Sequence, residues 1–397
     1  RVRVASRGSG TVWLKLAGED GRALSHVRRL RVQPGRSRTT TLSLTATGRR
    51  RFGRCGRTRV ALVISGAGGR SRGAWRPTIV DPVRCAPLRW APPVLKDPQT
   101  IELGRGFSNL RLEPGRDYIL RLPPGRKLGG SFVEGGRNVV IVGGHVTLPA
   151  GTTSDEQRRG LYFKNQTGTV HVEGVLIDGS GGGDGDGIAL SAPLATVQLE
   201  NVRIVGLRGS EGATHADVVQ PWGGVRELRI DRLSGSSHFQ GLQLPVAMGP
   251  IESAAIRFAD LRALVPLAGR RRPGGGHMLW LTPSGSCAGY PTELDHVYVM
   301  PRPGRELRNS VWPGVGDGSQ CAGVEQGGAV RWPRLPVRGD VQAGAPVGGD
   351  YVPRWNVGER YRSPGYAAGG DAAAFGAAVA RTLRLLACLT VVRSCTS

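Results

Sequence analysis

The sequence predicts an all-β chain, built as a parallel β-helix with a small β-sandwich ahead of it. Three observations carry that expectation. An internal repeat recurs roughly every 30 residues, and a second strand series is interleaved with it at a similar spacing. The composition holds 62 glycines and 27 prolines in 397 residues, without long amphipathic periodicities, which points to a turn-dense all-β protein. That length exceeds one ordinary domain, and a hydrophobic content of 39% suffices for a core, so two folded units are expected.

The first unit spans residues 1–86. Short alternating stretches, TVWLKL at 11–16, TLSL at 41–44 and RVALVI at 59–64, are separated by Gly and basic turns. Period-two alternation marks half-buried antiparallel strands, and several at near-even spacing indicate a sandwich. The segment TATGRRRFGR at 45–54 resembles a piece of immunoglobulin-like accessory domains of actinobacterial surface proteins, which implies an immunoglobulin-like sandwich. A Pro-rich linker at 87–96 follows.

Residues 97–366 carry the repeat, apolar-x-apolar-x-x-apolar. Its central residues are Ile141, Val172, Leu199, Ile230, Phe258 and Leu294, with steps of 31, 27, 31, 28 and 36. The second series, around Leu161, Ile188, Val219 and Leu242, steps by 27, 31 and 23. Two interleaved series describe a coil with at least two strands per turn, whose turns bury their inner faces only by stacking. A propeller needs four strands per longer repeat, and a leucine-rich repeat needs its Asn and Leu ladder. Ile141, Val172, Leu199, Ile230 and Phe258 are expected to form one inward column.

The register also says which polar residues share a face. With Ile188, Val219 and Leu242 inward, Ala189, Gln220 and Gln243 point outward, because strand side chains alternate. Three residues upstream of these stand Asp186, Asp217 and Gln240, and two further upstream Asp184, His215 and His238. Adjacent turns lie about 4.8 Å apart, so these groups are expected to gather on one exposed face. His215 and Asp217 are the candidate catalytic residues. Gln220, His238, Gln240 and Gln243 suit sugar hydroxyls as donors and acceptors, and Trp222 offers a face for a sugar ring. Lys164, outward on the parity of Trp222, is a candidate base. Each has a structural alternative. Asp before Gly is a common turn residue, Trp222 can pack beneath its Gly-Gly turn, an exposed lysine is ordinarily solvated, and polar ladders satisfy backbone groups.

With GRNVVIVGG at 136–144, Asp186-Gly187-Ile188 and HADVVQPWGG at 215–224, residues 97–366 resemble the pectate-lyase-like superfamily of right-handed parallel β-helix proteins. They are most similar to its uncharacterised secreted actinobacterial members. The resemblance implies a right-handed coil and a polysaccharide partner. The Asn-Thr-Asp, Gly-His-Gly and Arg-Ile-Lys signatures of the polygalacturonase-like branch are absent, as is the Trp-Ile-Asp-His element of pectate lyases, so it carries a fold and no set of catalytic residues. Two activities fit the residues. A lyase needs a base, His215 or Lys164, and a positive group to neutralise a uronate; Ca²⁺ on Asp184, Asp186 and Asp217 is one candidate. A hydrolase needs two carboxyl groups flanking the bond and no cofactor. A non-catalytic glycan-binding or surface-attachment protein is the alternative to both.

The formal charge is +24, nearly all from Arg, the only lysines being Lys15, Lys96, Lys127 and Lys164. A high-GC genome gives such an imbalance; a preference for acidic partners is the other reading. No basic stripe is interleaved with aromatics, so nucleic acid is not an expected partner. Six cysteines without zinc spacing read as disulfides, Cys55–Cys85 and Cys287–Cys321 by proximity, with Cys388 and Cys395 as a third local pair. They point to an oxidising compartment and a secreted or cell-surface protein. No signal peptide is visible, as expected of a mature, trimmed chain, and no run of 18 apolar residues is present to span a membrane. The stretch 179–186 resembles a calcium loop in composition only, and a Gly-rich turn is its other reading. Gly274-Gly275-Gly276 lacks the strand–helix context of a phosphate loop. A capping helix near 372–392 or a disordered tail closes the chain.

Overall fold

The computed structural model describes residues 2–363, except 6–8, 19, 49–55, 58–59, 67–68, 76–77, 80–82, 85, 153, 213, 270–274 and 284. The predicted Cys55–Cys85 pair, Cys388, Cys395 and the tail at 367–397 lie outside the described residues. The chain divides into two compact units, Arg1–Ala86 and Pro87–Ser397.

Every strand pairing in the first unit is antiparallel. A four-stranded sheet runs in the order Arg28–Val32, Gly10–Gly18, Val60–Gly66, Gly69–Trp75, and Val2–Ala5 pairs with Ser37–Thr40. Alternation drives the packing: Leu14 and Leu16 turn inward from one strand and Val32 from its neighbour, against Val4, Leu24 and Val60. The strand expected at 41–44 sits earlier, at Ser37–Thr40. Leu42 still packs into both small cores, but from irregular backbone.

The second unit is also nearly all-β, around a 21-stranded sheet whose pairings are parallel except at Val324–Gln326 and Ala329–Arg331. One ladder joins Ser108–Leu112, Ser131–Gly135, Arg159–Lys164, the start of Asp186–Leu207, Val219–Gln220, Leu242–Gln243, Leu279–Trp280 and Val311–Trp312. A second runs from Gln99–Glu102 through Tyr118–Arg121, Val139–Val142 and Thr169–Glu173 to Val225–Ser237, Ile251–Ala263, Thr292–Met300 and Val337–Ala343. A third begins at Arg126–Leu128, His145–Thr147 and Leu176–Asp178. Each strand therefore pairs with its counterpart one repeat later, and Asp186–Leu207 contributes to all three ladders.

Apolar columns run through this stack. Leu161, Ile188, Val219, Leu242, Leu279 and Val311 succeed one another in register and are fully buried. Ile141, Val172, Leu199 and Ile230 form another column, which continues into Ile256 and Leu294. The expected Phe258 is not in it. Phe258 lies two residues on, with φ 49°, and its ring packs on His296 and Tyr351. Both Ile256 and Phe258 fit an apolar period of two, and the small Ala254 and Ala255 upstream hid the true register.

Two segments cover outer polar groups of the second and third ladders. Backbone N–H groups of Arg89 and Trp90 donate to the buried Glu200 carboxylate at 2.8 and 3.1 Å. Ser363 Oγ donates to Glu173 at 2.9 Å and Arg203 to Asp350 at 2.8 Å. Cys287 and Cys321 are joined as a disulfide. Among the described residues no helix is long and apolar enough to cross a membrane.

Candidate functional site

On the outer side of the first ladder, a cleft of about 660 Å³ opens where the turn before Arg159 meets the two following rungs. Its floor is Asp186. The register sets Arg159 beside Asp186, and the guanidinium lies 3.4 Å from the carboxylate. One rung on, the Asp217 N–H donates to Asp186 Oδ1 at 3.0 Å, while the Gly187 N–H donates back to the Asp217 carbonyl at 2.8 Å. Gly187 is there because a side chain would run into the Val218 carbonyl and the Ile204 side chain. The Asp-Gly-Asp-Gly-Ile run is thus a tightly stacked strand start.

This exchange brings two carboxyl groups together out of water. Asp186 is 4% and Asp217 0% exposed. Burial pushes the Asp186 carboxyl up to about 6, against the opposing pull of the Asp217 N–H and Arg159. Asp217 is raised well above the usual carboxylate range, by burial first and then by Asp186. Among the described residues neither Asp217 oxygen has a hydrogen-bond partner. An isolated buried carboxylate is unfavourable, and two adjacent ones more so, which makes the neutral acid the stable form.

Asp184, His215 and Gln220 join Asp186 in the walls. His215 is exposed, its ring stacked on Phe239 at 4.7 Å. Gln220 Nε2 donates to Gln243 Oε1 at 2.8 Å, so Gln243 reaches the cleft through its neighbour. Trp222, 39% exposed, stands 6.1 Å from Tyr162, and Arg159 lies over both rings at 4.8 and 5.9 Å.

Other predicted groups are placed elsewhere. His238 is not a wall; its Nδ1–H donates to the Val265 carbonyl at 2.5 Å. The ring stacked beside His215 belongs to Phe239, the residue after His238. Gln240 is buried against Gly276. Lys164 is not a wall either and pairs with Glu134 at 3.7 Å. The sequence reading missed Thr152, Asp155, Arg158 and Arg159, which form the opposite wall. Arg158 braces it by donating to Thr214 Oγ1 at 2.9 Å. The available signal was the polar stretch 152–159, inserted between two strands outside the repeat.

The arrangement offers a proton donor with a shifted pKa, further carboxylates at Asp155 and Asp184, an imidazole, and two guanidiniums for an acidic ligand. Among the described residues no group of three or more His, Cys, Asp or Glu side chains is placed to hold a metal ion. Comparison with protein-family models, curated proteins and solved structures finds no match.

Proposed function

We propose that the second unit is a right-handed parallel β-helix related to the pectate-lyase-like superfamily, preceded by an immunoglobulin-like sandwich, and that it hydrolyses an acidic extracellular polysaccharide. The observation that carries this reading is the buried Asp186–Asp217 carboxyl pair beneath a polar cleft. Parallel ladders with inward apolar columns support the fold, and the Cys287–Cys321 disulfide supports an oxidising address.

In the mechanism, Asp186 carries a proton at mildly acidic pH and delivers it to the glycosidic oxygen as that bond breaks. A carboxylate of the cleft, Asp155 or Asp184, takes a proton from the water that attacks the anomeric carbon. Arg158 and Arg159 hold a uronate carboxylate, for which a guanidinium fork is suited. A lyase is the second reading, favoured by the exposed His215 in the same wall as a base.

Incubation with acidic and neutral polysaccharides tests both. Hydrolysis gives new reducing ends without the ultraviolet absorbance of an unsaturated uronate; elimination gives both. Asp186→Asn is expected to reduce hydrolysis at least about a hundredfold, the usual scale of a general acid. No new reducing ends from any polymer would overturn cleavage and leave glycan binding.

A further inference from the structure

Charge is distributed unevenly along the chain. Residues 1–86 hold 19 arginines and one lysine against three acidic residues, a net +17 of the chain's +24. The other 311 residues hold 34 basic and 27 acidic side chains, a net +7. Codon preference acts on both units alike. It accounts neither for twice the density of arginine in one unit nor for the near absence of carboxylates there.

Strand register gathers part of this charge, which looks scattered in the sequence. Residues opposite one another in an antiparallel pair face the same side. Trp13 pairs with Arg29 and Thr11 with Arg31. On the other flank Trp13 pairs with Ser65 and Lys15 with Val63. The opposite face of these strands is the core, with Leu14, Leu16 and Val32 buried. Trp13 is 42% exposed. Arg29 and Arg31 are exposed and form no ion pair among the described residues. A sheet whose inner face is satisfied thus keeps a part-exposed indole beside cations.

We propose that the face around Trp13, Arg29 and Arg31 binds an anionic polysaccharide. The indole stacks on a sugar ring while the guanidiniums pair with its carboxylates. The inference deepens the proposed function and rests on it, because it names the same polymer as the ligand of a separate anchoring surface. A polysaccharide is favoured over nucleic acid by the disulfide, which marks an oxidising compartment. A cleft of the same unit, of about 590 Å³, sets Arg28 among the hydroxyls of Thr39, Thr40, Thr41 and Ser43, and the pairing of Arg28 with Leu14 places it on the other side of the sheet from Trp13.

The test is co-sedimentation of the full chain with insoluble carboxylated polysaccharide across a salt series, beside a neutral polymer and single-stranded DNA. The parent is expected to bind the carboxylated polymer, to be released by salt as exposed ion pairs are screened, and to leave the neutral polymer in the pellet alone. Trp13→Ala combined with Arg29→Gln and Arg31→Gln is expected to weaken retention at least tenfold. The single Arg29→Gln exchange, on an exposed side chain, reads the same loss if the triple change disturbs folding. Asp186→Asn is expected to bind as the parent does, so that anchoring and cleavage fail separately. Unchanged binding by the triple variant, no binding by the parent, or tighter binding of single-stranded DNA than of any carboxylated polysaccharide would each overturn the proposal.

Discussion

Asp217 has both carboxyl oxygens buried and, among the described residues, without a hydrogen-bond partner. Its neighbour Asp186 shares the burial but has the Asp217 N–H and Arg159 to offset it. Both groups hold protons in the folded chain that an unfolded chain releases near the ordinary value of 3.8. Between about pH 4 and pH 6 the native state therefore binds more protons. Stability falls as pH rises through that window and is fully kept below it. For Asp186, raised to about 6, the loss is on the order of 3 kcal/mol as an upper bound. Asp217→Asn removes one of the two titrations. Urea unfolding at pH 4 and pH 7 is expected to show the pH dependence of the parent reduced by at least about half in the variant. An unchanged slope would mean that Asp217 does not hold a proton in the folded chain across that window. Of this site, Asp184, Asp186, His215, Asp217 and Gln220 were legible in the sequence because the repeat register fixes their columns. Arg158 and Arg159 were not, because they enter from a turn outside the repeat. His238 does not join His215 in the cleft: the His215 ring packs on Phe239, and the His238 ring is held by the Val265 backbone carbonyl.

At the scale of elements, one bend is repeated through the stack. Gly143, Gly174, Asn201, Arg232, Phe258 and His296 follow the paired residues Val142, Glu173, Glu200, Asp231, Arg257 and Asp295. All six have φ between 49° and 68°. The chain turns there from the second ladder into the third, and the left-handed conformation makes the turn in one residue. A side chain at such a position costs roughly 1–2 kcal/mol, which later turns bear with Asn201, Arg232, Phe258 and His296. Gly174 has a second constraint, since a Cβ would land in the Tyr361 ring, and that ring's hydroxyl donates to Glu173. Gly174→Ala is expected to lower the unfolding free energy by about 2–4 kcal/mol, measured in urea; a loss below 1 kcal/mol would show that the 350–363 segment yields easily. The same bend explains the slip at Phe258. Periodicity of apolar residues identifies strands and their spacing, but an apolar residue in the bend position looks like an inward one, and only pairing separates them.

For the molecule as a whole, composition and repeat were enough to anticipate an all-β chain with long parallel ladders, and proximity in sequence was enough for Cys287–Cys321. The uneven charge was also open to counting, but its placement around Trp13 was not, because cross-strand register in the first unit follows from no repeat. The disulfide closes a separation of 34 residues, for which loop-closure entropy predicts roughly 4 kcal/mol. Cys287→Ser with Cys321→Ser should lose stability on that scale, and reduction of the parent should reproduce it. The outward column of the first ladder leads to the last prediction. Gln220, Gln243, Trp280 and Trp312 succeed one another on consecutive turns. The His277 ring lies 5.5 Å from Trp280 and 5.4 Å from Trp312. Three steps of about 4.8 Å carry the column ~14 Å from the cleft, far enough for several sugars of a chain whose scissile bond, in the proposed function, lies over Asp186. Amides near the cleft can hold hydroxyls, and indoles further on can hold ring faces. With aromatic contacts contributing about 0.5–1.5 kcal/mol, Trp312→Ala is expected to raise KM for long polymer about three- to tenfold and to leave kcat unchanged. Oligosaccharides too short to reach the indole should be cleaved with the parent's KM. Equal increases for short and long substrates would mean that Trp312 shapes the cleft indirectly, and that the polymer does not run along this column.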